Sequence, residues 1–211
     1  MADNLDARSI TFFHDEKLAD PAWPASALPE SANDAWHWIE ANHRFNTLLW
    51  NEEDKARRTD VDAGEIAASK RLIDQYNQRR NDAIEAIDET ILVELDAFLP
   101  LRHEDARLNS ETAGAMVDRL SILCLKIFHM REQTLRVDAG AEHIAACTAK
   151  LNRLIEQRKD LGGCFDTLLA DAREGRAYFK IYRQFKMYND PTLNPWLYAR
   201  PGAATQAGSA R

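Results

Sequence analysis

Read at 100° per residue, the stretch from Trp36 to Arg57 has an apolar arc set by Ile39, Phe45, Leu49 and Trp50, edged by Trp36 and Trp38. The middle of that arc should be the most buried line of a helix. It carries Asn42, His43, Asn46, Glu53 and Arg57 instead of leucines. Polar groups inside an apolar face cost folding free energy unless each finds a partner. This line is therefore either a site or a closed hydrogen-bonded network.

Three more segments share the helical period. The first helix is expected from about Asp34 to Arg58, capped by Ser31 or Asn33 and ended by the turn TDVDAG. A second is expected from about Gly64 to Phe98, stopping before Pro100. Its apolar line is Ile66, Ile73, Ile84, Ile87, Ile91, Leu95 and Phe98, with Lys70, Asn77 and Asp88 on the same arc and Arg80 and Asn81 at its flanks. A third runs from about Glu111 to Val137 behind Ser110. Its centre is apolar almost all round, and Asp118, Ser121, His129 and Glu132 form its minority face. A fourth runs from about Ala141 to Arg173 with Arg158 in mid-line, and Gly162-Gly163 marks a bend or a close helix contact. Short turns between such segments predict an all-α protein: an antiparallel bundle of four long helices, with an irregular or short-helical C-terminal segment packed on it.

The flanks differ. Residues 1–30 read as an arm broken by Pro21, Pro24 and Pro29, with a short helix near Ser9–Leu18; residues 31–198 read as one helical-bundle domain; residues 199–211 read as a disordered tail. From residue 172 to 200, six basic residues (Arg173, Arg176, Lys180, Arg183, Lys186, Arg200) face only Glu174 and Asp190, a local charge of +4. No second strand is in view to pair with this stretch, so helix or irregular chain is expected over sheet.

The 211 residues carry a net charge of −7, which argues against nucleic acid as a partner. No signal peptide and no membrane-length apolar run is visible, so a cytoplasmic protein without membrane insertion is expected. Cys124, Cys147 and Cys164 are far apart on apolar patterns and are expected as buried free thiols.

Three constellations could carry chemistry. Glu53, Asp54 and Asp88 lie on or beside inward arcs. Converging carboxylates can hold Mg²⁺ or another divalent cation, which suits phosphate chemistry; the alternative is a set of salt bridges with Lys70, Arg80 or Arg158. Glu85-x-x-Asp88 resembles the second acidic motif of the all-α nucleotide pyrophosphohydrolases, whose first motif, Glu-x-x-Glu, is absent. Glu40-x-x-His43 matches half of a di-iron carboxylate site. The other half is missing, His129–Glu132 runs in the reverse order, and Glu40 falls on the outer side of the helix.

The third constellation is the basic tail: Arg176, Lys180, Arg183 and Lys186 with their tyrosines. It would either hold an anion or pack on the bundle.

HRFNTLLWNEEDKAR (43–57), KRLIDQYNQRRNDAIEAID (70–88) and LIEQRKDLGGCFDTLLADAREGRAYFKIYRQFKMYNDPTLNP (154–195) together resemble the bacterial family catalogued as domain of unknown function 4254. The resemblance covers roughly residues 30 to 198. It implies an all-helical chain, assigns no catalytic residue, and is loosely associated with cell-envelope sugar transfer.

The expected site is a polar pocket of Asn42, His43, Asn46, Glu53, Arg57, Lys70, Asp74, Asn77, Arg80, Asn81 and Asp88, closed by Arg158 and the basic tail. As an enzyme of an anionic, phosphorylated or sugar-nucleotide substrate, Glu53, Asp88 and His43 would do the chemistry. Asn46, Arg57, Lys70, Asn77, Arg80, Asn81, Arg158, Arg176, Lys180 and Lys186 would bind. The competing expectation is a non-catalytic interaction or structural protein, as a homodimer, whose inward polar groups form a closed salt-bridge network fixing helix register.

Overall fold

The computed structural model describes residues 5–25, 34–183 and 192–195. The chain divides into two units, residues 1–181 and 182–211. In the second, residues 182–183 and 192–195 are described, with a turn at 192–193; Lys186 and the tail 199–211 lie outside the described residues.

The first unit is all-α, with five helices among its described residues: α1 (Ala7–Ala19), α2 (Ala35–Ala56), α3 (Ala63–Leu95), α4 (Ala113–Thr134) and α5 (Ala141–Arg173). None of its helices is long and apolar enough to cross a membrane, among the described residues. α1 to α4 each begin where a local acceptor meets free backbone donors, while α5 starts behind Gly140 without a side-chain cap. Asp6 accepts from the Ser9 N–H, Asp34 from His37, Asp62 from Gly64 and Glu65, and Thr112 from Ala115. Asp34 and Thr112 take the places expected of earlier residues; Ser31 and Asn33 lie outside the described residues.

α3 stops at Leu95 and tightens into a 3₁₀ turn, Asp96–Leu101, that accommodates Pro100. α5 ends at Gly175, whose φ of 72° and approach to the Leu101 carbonyl (2.1 Å from a built Cβ) admit only glycine. That turn delivers Ala177–Tyr178 (β2) alongside Arg107–Leu108 (β1) as a parallel pair, Arg107 opposite Ala177 and Leu108 opposite Tyr178. A short ladder therefore stands where helix or irregular chain was expected. Its partner strand sits in the polar connection before α4, where no period-two pattern announces it.

α2 packs along α3, and α4 along α5. α1 contacts α2, α4 and α5. Its Ile10 is fully buried with Ile39, Val117, Leu120 and Phe165, a contribution of about 1.5–3 kcal/mol for a side chain of this size. The Ala7 N–H donates to Asp166 Oδ1 at 2.8 Å, and Arg158 Nη1 donates to both oxygens of Asp15 at 2.8 Å. Gly162 leaves room for Ala7, whose Cβ would lie 3.0 Å from an added one, and α5 remains one helix through the glycine pair. The arm is thus part of the core.

Its presence changes α2. Glu40, expected on the outer side, is buried and paired with Lys17 (3.0 Å) and Arg44 (3.2 Å), because α1 and residues 20–25 cover that side. Cys124 and Cys147 are buried as expected, but Cys164 is exposed, since its face of α5 is not covered among the described residues.

Candidate functional site

The polar line of α2 meets α4. Asp118 Oδ1 accepts from Asn42 Nδ2 and Asn46 Nδ2, each at 2.9 Å. Asn46 Nδ2 also reaches Ser121 Oγ at 3.0 Å, and that hydroxyl lies 2.8 Å from His43 Nδ1. Arg80 of α3 brings its Nε to 3.9 Å from Asp118. Asn42, His43 and Ser121 are fully buried. The pairing expected with α3 is made instead with the minority face of α4.

On the far side of His43 lie two more rings. His14 stacks on it at 4.3 Å and Trp23 at 5.4 Å, while Trp23 Nε1 donates to Thr47 Oγ1 at 3.0 Å. Arg44 lies over the Trp23 ring and donates to the Pro24 carbonyl. Both His14 nitrogens and His43 Nε2 are buried without a hydrogen-bond partner. Burial pushes the His43 pKa down to about 3, with the Lys17 charge adding to the effect and the His14 backbone opposing it. Burial likewise holds His14 well below the ordinary histidine value, with the charges of His43 and Arg158 adding to it. His43 is enclosed in this stack, away from any described cleft.

The carboxylates stand in separate settings. Asp88 is buried under the start of α4, where its Oδ1 accepts from the Gly114 N–H at 2.6 Å. Burial raises its pKa to about 6, against hydrogen bonds from Thr112 and Gly114 that favour the anion. Glu53, half-buried, is paired with the exposed Arg57 at 3.1 Å, and Asp54 is exposed. Among the described residues no group of three or more His, Cys, Asp or Glu side chains could hold a metal ion. The expected trio of Glu53, Asp54 and Asp88 is therefore not gathered, because Asp88 is used to anchor α4.

The expected binding residues divide similarly. Asn46, Glu53, Asp54, Arg57 and Arg80 do line one cleft of about 340 Å³, with Leu49, Trp50, Ile122 and Leu125. Lys70 and Asp74 are exposed on α3, and Asn77 and Asn81 are half-buried there; none of the four lines a described cleft. Arg158 is committed to Asp15 and to Cys124 Sγ at 3.3 Å, so it ties α5 to α1 instead of closing a pocket. Arg176 is paired with Asp171 at 2.7 Å, and Lys180 lies over the Tyr178 ring.

A larger cleft, about 630 Å³, opens beyond α1 between the ends of α2, α4 and α5. Trp50 and His129 form its shelf, rings 4.6 Å apart and 12° from parallel. Met130 and Leu154 add apolar floor, and Lys126, Lys150 and Arg153 stand around it with Asp54 and Glu132. Among the described residues, none of those three cations is in an ion pair, whereas most guanidinium groups of the unit are. Residues that sequence reasoning left out as a site are thus Trp50, Lys126, Lys150 and Arg153. A signal was present. Asp118, Ser121, His129 and Glu132 of α4 follow the same helical stride as Asn42, Asn46 and Glu53 of α2, so two polar lines were available to each other.

The model of the family described as "Protein of unknown function (DUF4254)" matches residues 36–181. The chain belongs to this family. The DUF4254 match takes in the network on Asp118 and both clefts, and leaves out α1 with its His14 and the turn after it with Trp23. No curated protein and no solved structure matches the chain.

Proposed function

We propose that the DUF4254 chain takes up an anionic small molecule in the α2–α4–α5 cleft, and that the buried network behind it is structural wiring. What carries this reading is the set Lys126, Lys150 and Arg153, unpaired among the described residues, around the Trp50–His129 shelf. Three cations against the two carboxylates Asp54 and Glu132 leave the lining net positive, and an anion relieves that excess. A flat ring laid on an aromatic shelf gains dispersion and stacking energy, about 0.5–1.5 kcal/mol beyond area burial. The two features together favour a phosphorylated ligand that carries a ring, such as a sugar nucleotide. A divalent ion would arrive with the ligand's phosphates, where Asp54 is the carboxylate at hand, Glu132 being engaged with His129.

The network supports the second expectation in its structural part, inward polar groups that fix helix register: Asp118 Oδ1 of α4 accepts from two amides of α2, while His43 Nε2 has no partner among the described residues. The same contacts support our reading of α2–α5 as an antiparallel four-helix bundle with α1 as a fifth helix against it. Asn42 meets Asp118, Asn46 meets Ser121 and Trp50 meets His129, so α2 and α4 keep step along their lengths.

The test is a titration of purified protein with pyrophosphate, ADP and a uridine diphosphate sugar, each with and without Mg²⁺, by calorimetry and thermal shift. Binding is expected in the wild type and a loss of at least tenfold in affinity in Lys150→Glu/Arg153→Glu, whose side chains are exposed and whose fold should survive. Equal binding by the variant, or none by the wild type, would sink the reading.

A further inference from the structure

The cleft holds a group equipped for proton transfer. His129 Nδ1 lies 2.8 Å from Glu132 Oε2, one helical turn along α4. The Trp50 ring covers one face of the imidazole, and Phe128 meets it edge-on at 5.3 Å. A carboxylate accepting from Nδ1–H fixes the tautomer, which leaves the lone pair on Nε2. No described residue partners Nε2, and the ring is a wall of the cleft that Lys126, Lys150 and Arg153 surround.

A site that only held an anion would gain from an imidazolium and lose from a carboxylate beside it. Glu132 therefore needs another use, and orienting a base is the one its geometry serves. We propose that His129 is the acid–base residue of a hydrolysis at phosphorus in this cleft, with Glu132 as its positioning residue. The substrate class is a phosphate anhydride or ester, and the proposal rests on the anion-binding reading above.

In the step, His129 Nε2 takes a proton from water as the water oxygen bonds to phosphorus. The bond from phosphorus to the leaving oxygen breaks, the electron pair departs with that oxygen, and the imidazolium returns the proton to it. Lys126, Lys150 and Arg153 hold the non-bridging oxygens as their charge redistributes. Glu132 stays ionised and keeps the imidazolium in place.

The experiment uses the full chain with pyrophosphate, ADP and a uridine diphosphate sugar in Mg²⁺ buffer, following products by chromatography and binding by calorimetry. The expected result is turnover of at least one of them. His129→Gln then lowers kcat by about 100-fold or more at a KM changed only a few-fold, with its circular dichroism unchanged. Glu132→Gln lowers kcat and moves the acidic limb of the pH–rate profile to lower pH, because the imidazolium has lost its counter-charge; a merely structural role would leave that limb in place. Binding of these molecules without turnover overturns the proposal and leaves the binding reading standing. Turnover that His129→Gln leaves intact also overturns it. No binding at all overturns both.

Discussion

Acid should loosen this fold through the two stacked histidines. His14 and His43 are fully buried, 4.3 Å apart, with three ring nitrogens unpartnered. Both are held neutral in the folded chain, His43 down to a pKa of about 3 and His14 well below its ordinary value. In the unfolded chain each titrates near pH 6.5. A base whose folded pKa is depressed stabilises the fold above the unfolded pKa and withdraws that stability as pH falls through it. From pH 7 to pH 5 the unfolded state gains about 0.7 of a proton per histidine, and for His43 integration gives a loss of about 2 kcal/mol, to which His14 adds a loss of the same sign. Asp88 acts in the opposite sense. Its raised pKa of about 6 means the folded state binds a proton first, which adds about 1 kcal/mol over the same interval.

The comparison that isolates the histidines is wild type against His14→Phe, which removes one titrating ring without removing a hydrogen bond. Urea unfolding at pH 7 and pH 5, followed by circular dichroism, should show the wild type losing more stability than the variant. Whatever the variant's stability at pH 7, the Asp88 contribution cancels between the two. Equal losses would refute the reasoning, because His14 would then carry the same proton in the folded and unfolded states.

Gly114→Ala would set a methyl 2.5 Å from the Ile84 carbonyl and 2.9 Å from Asp88 Cγ, and should cost about 2–3 kcal/mol by denaturant melt since neither neighbour is a flexible tip. Asp118→Ala takes the acceptor from the buried Asn42 amide, while Asn46 keeps Ser121, and should cost about 1–3 kcal/mol, whereas Glu53→Ala, at a half-exposed pair, should cost under about 1 kcal/mol by the same measurement. A thiol reagent at neutral pH should modify Cys164 quickly in the native protein and Cys124 only on unfolding, as burial also pushes the Cys124 thiol up to about 12; two fast thiols would contradict the packing of α5.

The four long helices were legible because each buries a wide arc with the helical period, and their ends fell within a few residues of those expected. The short helix near Ser9–Leu18 was legible too, as Ala7–Ala19, but its burial was not. Ile10 shows that the arm belongs to the core through its neighbours in space, and most of those lie more than a hundred residues away in α4 and α5. Likewise the α2 wheel identified Asn42, His43 and Asn46 as inward, but a wheel gives a direction and no partner. Adjacency in sequence pointed to α3, while Asp118 and Ser121 of α4 hold the hydrogen bonds. Asp88 shows the converse: an inward carboxylate whose purpose is backbone donors at another helix's start, which no spacing within α3 discloses. The cleft residues escaped because Lys126, Lys150 and Arg153 are ordinary surface cations until α2 brings Trp50 between them.

The anchoring of α1 bears on how the chain is made. Its first N–H belongs to Asp166 and its Asp15 to Arg158, partners 159 and 143 residues further on. At about 5–20 residues per second of synthesis, α1 emerges roughly ten to thirty seconds before the helix that holds it. Through that interval Ile10 can meet Ile39 of α2 and Val117 and Leu120 of α4, but not Phe165 of α5. The nascent chain therefore holds α1 against an incomplete core until α5 emerges, and the two polar anchors of α1 on α5 close late.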